Sequence, residues 1–197
     1  MAELPVGPYG AIIADPPWPY NQKLGRTDKG NTTRGGLPYG TMTIPEILGL
    51  PMNSMMAKDS ALFLWTTNSH FPIAFEAIQK WKLRYITTLT WVKPRFGLGY
   101  WLRGQTEHAL LAVKGNPRSK LKGPNGAMAG KAWSTVIHAP LGKHSEKPGI
   151  VYTMVEDMFP GPYLELFCRM RRQGWDAWGN EMDDHSQVQQ LLMEDGP

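Results

Sequence analysis

Residues 11–14, Ala-Ile-Ile-Ala, are apolar without interruption and run straight into Asp15-Pro16-Pro17-Trp18. A short apolar run bounded by turn residues predicts a buried strand. The two prolines fix φ and remove two backbone N–H groups, so the strand must end in a rigid turn. Their carbonyls are left as acceptors beside the Asp15 carboxylate, and Trp18 adds a flat aromatic face. A carboxylate and a carbonyl held together can accept both hydrogens of an exocyclic NH2 group and leave its nitrogen lone pair aimed at an electrophile. Asp15, Pro16, Pro17 and Trp18 are therefore the candidate catalytic residues.

The rest of the chain alternates strand and helix patterns, which predicts an α/β domain with a mixed, mostly parallel sheet and helices on both faces. Further strands are expected over 61–66, 85–92, 108–113, 134–138, 163–168 and 175–178. Thr43-Ile44-Pro45-Glu46 reads as a capping box that opens a helix through about Met56. Phe71, Ala74, Phe75 and Ile78 share one face of a helix ending near Lys82. Val151, Met154, Val155, Met158 and Phe159 make an apolar stripe on a helix over 147–159, with Pro148 in its first turn; its methionines read as core. Stretches 21–36 and 115–132 are rich in Gly and polar residues without periodicity and read as long loops, a length usually kept for function. One domain is expected over 1–182, with 183–197 as an acidic tail.

At 197 residues the chain suits a single domain with a full core. No apolar run approaches the roughly 18 residues of a membrane span, and the N-terminus lacks the regions of a signal peptide. Cys168 is the only cysteine, which excludes an internal disulfide and a cysteine-built metal site. No metal is expected, and a cytoplasmic, reducing setting is. Charge is clustered. Between Lys93 and Lys147 stand ten Lys or Arg against Glu107 and Glu146 alone, while residues 181–197 hold five acids and no Lys or Arg. Such a basic excess is the electrostatic footprint of a nucleic-acid binder.

Asp15-Pro16-Pro17-Trp18 resembles the signature of amino-group methyltransferases acting on adenine in nucleic acids. The wider match is to the family of the catalytic subunit of the eukaryotic messenger-RNA adenine methyltransferase and its bacterial and phage relatives. Leu37-Pro38-Tyr39-Gly40-Thr41-Met42, Glu107-His108 and Val113-Lys114-Gly115-Asn116-Pro117 are similar to that family. So are Ser145-Glu146-Lys147-Pro148, Glu165-Leu166-Phe167-Cys168-Arg169 and Trp178-Gly179-Asn180, all in family order.

The resemblance implies a Rossmann-like, S-adenosylmethionine-dependent fold in permuted motif order, and methyl transfer to the N6 amine of adenine. It implies that Asp15 also holds the amino group of the methyl donor, that Lys147 pairs with its carboxylate, and that Arg169, Arg171, Asn180 and Glu181 line the rest of its site. Arg171 stands where the family has a histidine, and Glu181 where glutamine is also seen. A lysine at the positive end of a helix is electrostatically unfavourable, which points Lys147 toward an anionic partner. Glu165, in mid-strand, reads as a structural pairing residue. Trp18 and Tyr39 are the candidates for packing the target base, which must be flipped out or unpaired to reach them. Lys93, Lys114, Arg118, Lys120 and Lys122 are the candidate contacts to the polymer. Only about ten residues precede the signature strand, so the part of the pocket that holds the cofactor's adenine in the larger relatives is expected to be built differently here or to be more open. DNA is the favoured polymer and RNA the alternative; a homo- or heterodimer, or a non-catalytic binding subunit of a complex, is also compatible with the pattern.

Overall fold

The computed structural model describes residues 3–19, 42–97, 101–117, 132–142 and 146–179. Its strands are β1 (Tyr9–Ala14), β2 (Met56–Thr66), β3 (Arg84–Val92), β4 (Thr106–Lys114), β5 (Val136–His138), β6 (Tyr163–Leu166) and β7 (Trp175–Trp178). The α-helices are α1 (Ile44–Leu48), α2 (Met52–Met55), α3 (Phe71–Lys80) and α4 (Ile150–Met158). The strands form one sheet in the order β5-β3-β4-β2-β1-β6-β7. Only β4 runs against the others, pairing antiparallel with both β2 and β3, so the expected mixed, mostly parallel sheet is borne out.

β1 sits inside the sheet and is buried along its whole length. Its side chains alternate between two cores, as the strand period requires. Ile12 and Ala14 join the core built with Ala74, Ala77 and Ile78 of α3. Ala11 and Ile13 join the opposite core, with Val151, Tyr152, Met154 and Val155 of α4. Helices therefore cover both faces, and the α4 stripe packs as its sequence predicts. Full burial of each isoleucine, valine or methionine among them is worth about 1.5–3 kcal/mol.

Three local expectations need correction. The capping box at Thr43 and Glu46 is present, but the helix ends at Leu48, with Gly49 at its C-cap. Pro51 lacks the N–H that would continue it, a separate turn of helix follows, and Met56 already starts β2. α4 begins at Ile150, so Pro148 and Lys147 precede it and lie outside its first turn. β6 stops at Leu166 because Phe167 turns into positive φ (66°). The two long loops and the acidic tail fall largely outside the described residues.

Candidate active site

The register of the sheet gathers several of the family-like segments at one edge. Ala14, the last residue of β1, lies beside Leu64 of β2 and Leu166 of β6. Thr66 at the end of β2 faces His108, and Trp91 near the end of β3 faces Glu107. Asp15, Lys93 and Glu107 thus come from three strands to the carboxyl edge of the parallel set, where open α/β sheets bind ligands.

On the α4 face a chain of charges joins four segments. Lys93 Nζ donates to Glu107 Oε1 and lies 5.0 Å from the centroid of the Trp91 ring. Lys147 Nζ lies 3.4 Å from Glu107 Oε2 and 2.5 Å from Asp15 Oδ2. It also sits 5.5 Å from the centroid of the fully buried Trp65 ring. Burial disfavours the charge on Lys147, but Asp15 and Glu107 outweigh it and hold the amine protonated above its usual range. Burial likewise works against ionised Glu107, and Lys147 and Lys93 hold its carboxyl below its usual range. The Lys147 side chain is 11% exposed and that of Asp15 is 34% exposed. Lys147 is therefore the most enclosed member of the chain and Asp15 the most open.

The proline turn is pinned through its carbonyls. The Trp18 N–H donates to the Pro16 carbonyl at 2.8 Å, and the Met42 N–H donates to the Pro17 carbonyl at 3.2 Å. The sequence leaves these carbonyls free, but each already accepts one hydrogen bond; among the described residues neither has a second donor, so Pro16 keeps one acceptor position. Trp18 is only 7% exposed and belongs to the α3-side core. Its Nε1–H donates to the Trp65 carbonyl at 3.0 Å, and its ring stacks on His70 at 5.7 Å between centroids and 18° between planes. Trp18 anchors the turn more than it offers an open face.

Beside Asp15, the Tyr152 hydroxyl donates to Glu165 Oε1 at 2.7 Å. Burial raises the Glu165 carboxyl above its usual range against the pull of that hydrogen bond. Burial, with Glu165 alongside, also raises the Tyr152 hydroxyl. The Arg172 guanidinium lies 3.9 Å from the centroid of the Tyr152 ring. Toward α3, His108 faces Phe71 at 4.8 Å between centroids. Its ring nitrogens meet Thr90 Oγ1 at 3.1 Å and Asn68 Oδ1 at 2.8 Å, and burial holds its pKa below the usual value. In the β3–β4 connection at the same edge, Phe96, Trp101 and Leu102 are strongly exposed, beside Arg95 and Arg103 in sequence.

The MT-A70 family model matches residues 9–181, which takes in every element just described. The chain belongs to the MT-A70 family. It is 31% identical to type II methyltransferase M.MunI from a Mycoplasma species, over 93% of this chain and 82% of that protein. It is 31% identical to the N(6)-adenosine-methyltransferase MT-A70-like protein of Arabidopsis thaliana, over 90% of this chain and 24% of that protein. It is also 31% identical to the human N(6)-adenosine-methyltransferase catalytic subunit METTL3, over 90% of this chain and 29% of that protein. The chain thus spans only about a quarter of the plant and human relatives.

Of the residues expected at the site, Asp15, Pro16, Pro17, Trp18 and Lys147 are brought to one edge, and Lys93, expected on the polymer, is there paired with Glu107. Glu165 pairs structurally with Tyr152, as expected. Arg169 is half-buried and Arg171 exposed, both just past the end of β6. Lys114 is not at this edge. It pairs with Ser60 at the start of β2, six residues from Thr66, or about 20 Å along the strand. Its Nζ donates to the carbonyls of Asn53 (2.7 Å) and Met56 (3.0 Å), tying α2 to the sheet. Gly115 adopts φ +65° against Lys58 and Asp59, where a Cβ would collide with both, so this family segment is a structural turn. Tyr39, Arg118, Lys120, Lys122, Asn180 and Glu181 lie outside the described residues. Glu107, His70 and Arg172 are site residues to which the sequence alone assigns no role. The Glu107-His108 match was the one signal for the first, and nothing local marks the other two.

Proposed function

We propose that this chain transfers a methyl group from S-adenosylmethionine to the N6 amine of adenine in nucleic acid, with DNA the favoured polymer. The observation that carries the reading is the Asp15 carboxylate, a third exposed at the carboxyl end of a central strand, in a turn whose next carbonyl, Pro16, accepts from the Trp18 N–H. These two acceptors match the two hydrogens of an aromatic amine. Drawing on them pulls the nitrogen toward tetrahedral geometry and stabilises the positive charge that develops as it attacks. Positioning is Asp15's main task, and it need not be a strong base.

S-adenosylmethionine, when bound, supplies the electrophilic methyl group. The residues present fit its amino-acid end, which carries one ammonium and one carboxylate. Asp15 is the exposed anion for the ammonium, and Lys147 is a cation with two carboxylates already holding it protonated. Glu107 keeps Lys147 in place when Asp15 turns to the ligand. Arg169 and Arg171, together with Asn180 and Glu181, are the candidates for the remainder of the cofactor, and the motif order is read as permuted.

DNA is favoured because the relative matched over most of its own length is the type II methyltransferase, whereas the adenosine methyltransferases are matched over about a quarter of theirs. RNA is the alternative. The exposed Trp101 with Arg95 and Arg103 suits a base and its phosphates, and Arg118, Lys120 and Lys122 add to the basic surface. Tyr39 remains a candidate for packing a flipped-out or unpaired adenine. A partner subunit or second copy accords with the name of the human relative, a catalytic subunit. Methyl transfer from labelled S-adenosylmethionine to single- and double-stranded DNA and RNA, with nucleosides identified by mass spectrometry, tests the reading. N6-methyladenine on DNA is expected; methylation of cytosine only would overturn it.

A further inference from the structure

His70 stands at the junction of β2 and α3, and its side chain reaches back 51 positions to the proline turn. Its Nε2 lies 3.1 Å from the Pro19 carbonyl. A carbonyl only accepts, so Nε2 carries the hydrogen. Nδ1 lies 2.9 Å from Thr67 Oγ1 and 3.1 Å from Ser69 Oγ, both hydroxyls able to donate to it. Both ring nitrogens thus have partners, and the ring cannot rotate without losing one. Its flat face lies against Trp18.

Trp18 is held on three sides. His70 covers its ring, the Trp65 carbonyl takes its Nε1–H, and its own backbone N–H donates to the Pro16 carbonyl. The Pro16 carbonyl is the second acceptor for the substrate amine, so whatever sets the backbone of Trp18 sets that acceptor. We propose that His70 is a positioning residue for methyl transfer, clamping Trp18 by stacking and Pro19 through Nε2–H, so that the Pro16 carbonyl and the Asp15 carboxylate stay at the spacing of an NH2 group. This rests on the functional reading above and adds to it the residue that aligns the acceptors. His70 touches neither substrate nor cofactor.

The test uses the full chain with His70→Phe and His70→Gln. Phenylalanine keeps the stacked ring and removes the donor; glutamine places an amide N–H where Nε2–H stands. For His70→Phe, kcat falls about tenfold, the scale of a small misplacement of reacting groups, while the S-adenosylmethionine Kd and Tm stay close to wild type. His70→Gln recovers most of that kcat. An unchanged kcat in His70→Phe would overturn the proposal. So would losses of kcat, cofactor affinity and Tm in step in both variants, as a purely structural role predicts. Nitrogen-15 spectra of the resting protein are to show hydrogen on Nε2; the tautomer with Nε2 bare overturns the proposal. Because the tautomer is read without substrate, a wild-type chain that failed to methylate nucleic acid would refute the functional reading and still leave this clamp tested.

Discussion

Lys147 Nζ and Asp15 Oδ2 stand 2.5 Å apart although 132 positions separate them in the chain. The contact joins the turn that closes β1 to the segment leading into α4, and through Glu107 it reaches Lys93. Replacing Lys147 with Met would leave two partly enclosed carboxylates facing each other without their cation. Removing one partner of a fully buried pair costs several kcal/mol and of an exposed pair under one, so with Asp15 a third exposed we expect about 2 kcal/mol. Urea unfolding measures it. Calorimetry on the same variant is expected to show weakened S-adenosylmethionine binding.

Two glutamates at this edge are expected to bend the pH dependence of stability in opposite directions. Despite its burial, Glu107 has a folded-state pKa lowered by Lys147 and Lys93, so its contribution is present above the ordinary carboxylate value of 4.5 and is lost as pH falls. Burial raises the folded-state pKa of Glu165, so its contribution is full below that value and is lost as pH rises through the raised pKa. Glu107→Gln should therefore destabilise the protein at pH 7.5 and do so less at pH 4. Glu165→Gln, whose amide oxygen still accepts from Tyr152, should stabilise it at pH 7.5 and less so at pH 4. Denaturant titrations at the two pH values check the signs; equal signs would contradict this assignment.

Lys114 and the cations beyond it should separate in experiment. Lys114→Met removes two hydrogen bonds to carbonyls and should lower stability by about 1–2 kcal/mol, leaving the salt dependence of DNA binding as it was. Replacing Arg118, Lys120 and Lys122 together should reduce the slope of log K against log salt by up to about 3, roughly one unit for each phosphate no longer neutralised.

Trp101, 98% exposed in the β3–β4 connection, is in place to stack on a base. Trp101→Ala should weaken binding of single-stranded DNA by about tenfold, the lower part of the range for one aromatic platform. Cofactor affinity and Tm should not change. Fluorescence anisotropy with a labelled oligonucleotide gives the first and calorimetry the second.

The strands were legible because their signals are local: the apolar run of β1, the Thr- and Ile-rich β3, and the Trp-to-Trp segment of β7 appear where their patterns predict them. Helix ends were harder. The capping box at Thr43 marked a true start, yet Gly49 and Pro51 carried the stop signal within a pattern that reads as continuous helix. Lys147 shows the same divide. It does have anionic partners, but they are Asp15 and Glu107, and it precedes the N-cap of α4 instead of lying in its first turn. Which cation meets which carboxylate depends on the pairing of β3 with β4 and of β4 with β2, long-range registers that residue spacing does not encode. Lys114 was misplaced for the same reason, since a basic residue in a family segment looks alike at either end of a strand. His70 was invisible, because a histidine in a loop signals nothing until the turn it holds is seen.

The central claim is that the Asp15 turn presents two acceptors to the N6 amine of adenine. Its most direct measurement is the initial rate of N6-methyladenine formation on DNA by Asp15→Asn beside wild type, with folding verified by unfolding curves. Asparagine keeps the size of the side chain and removes the charge that the developing ammonium needs. The predicted result is a fall of at least about 100-fold, the scale for losing one preorganised electrostatic interaction in a transition state. Transfer by Asp15→Asn at the wild-type rate, or a wild-type product methylated at another atom of the base, would contradict it.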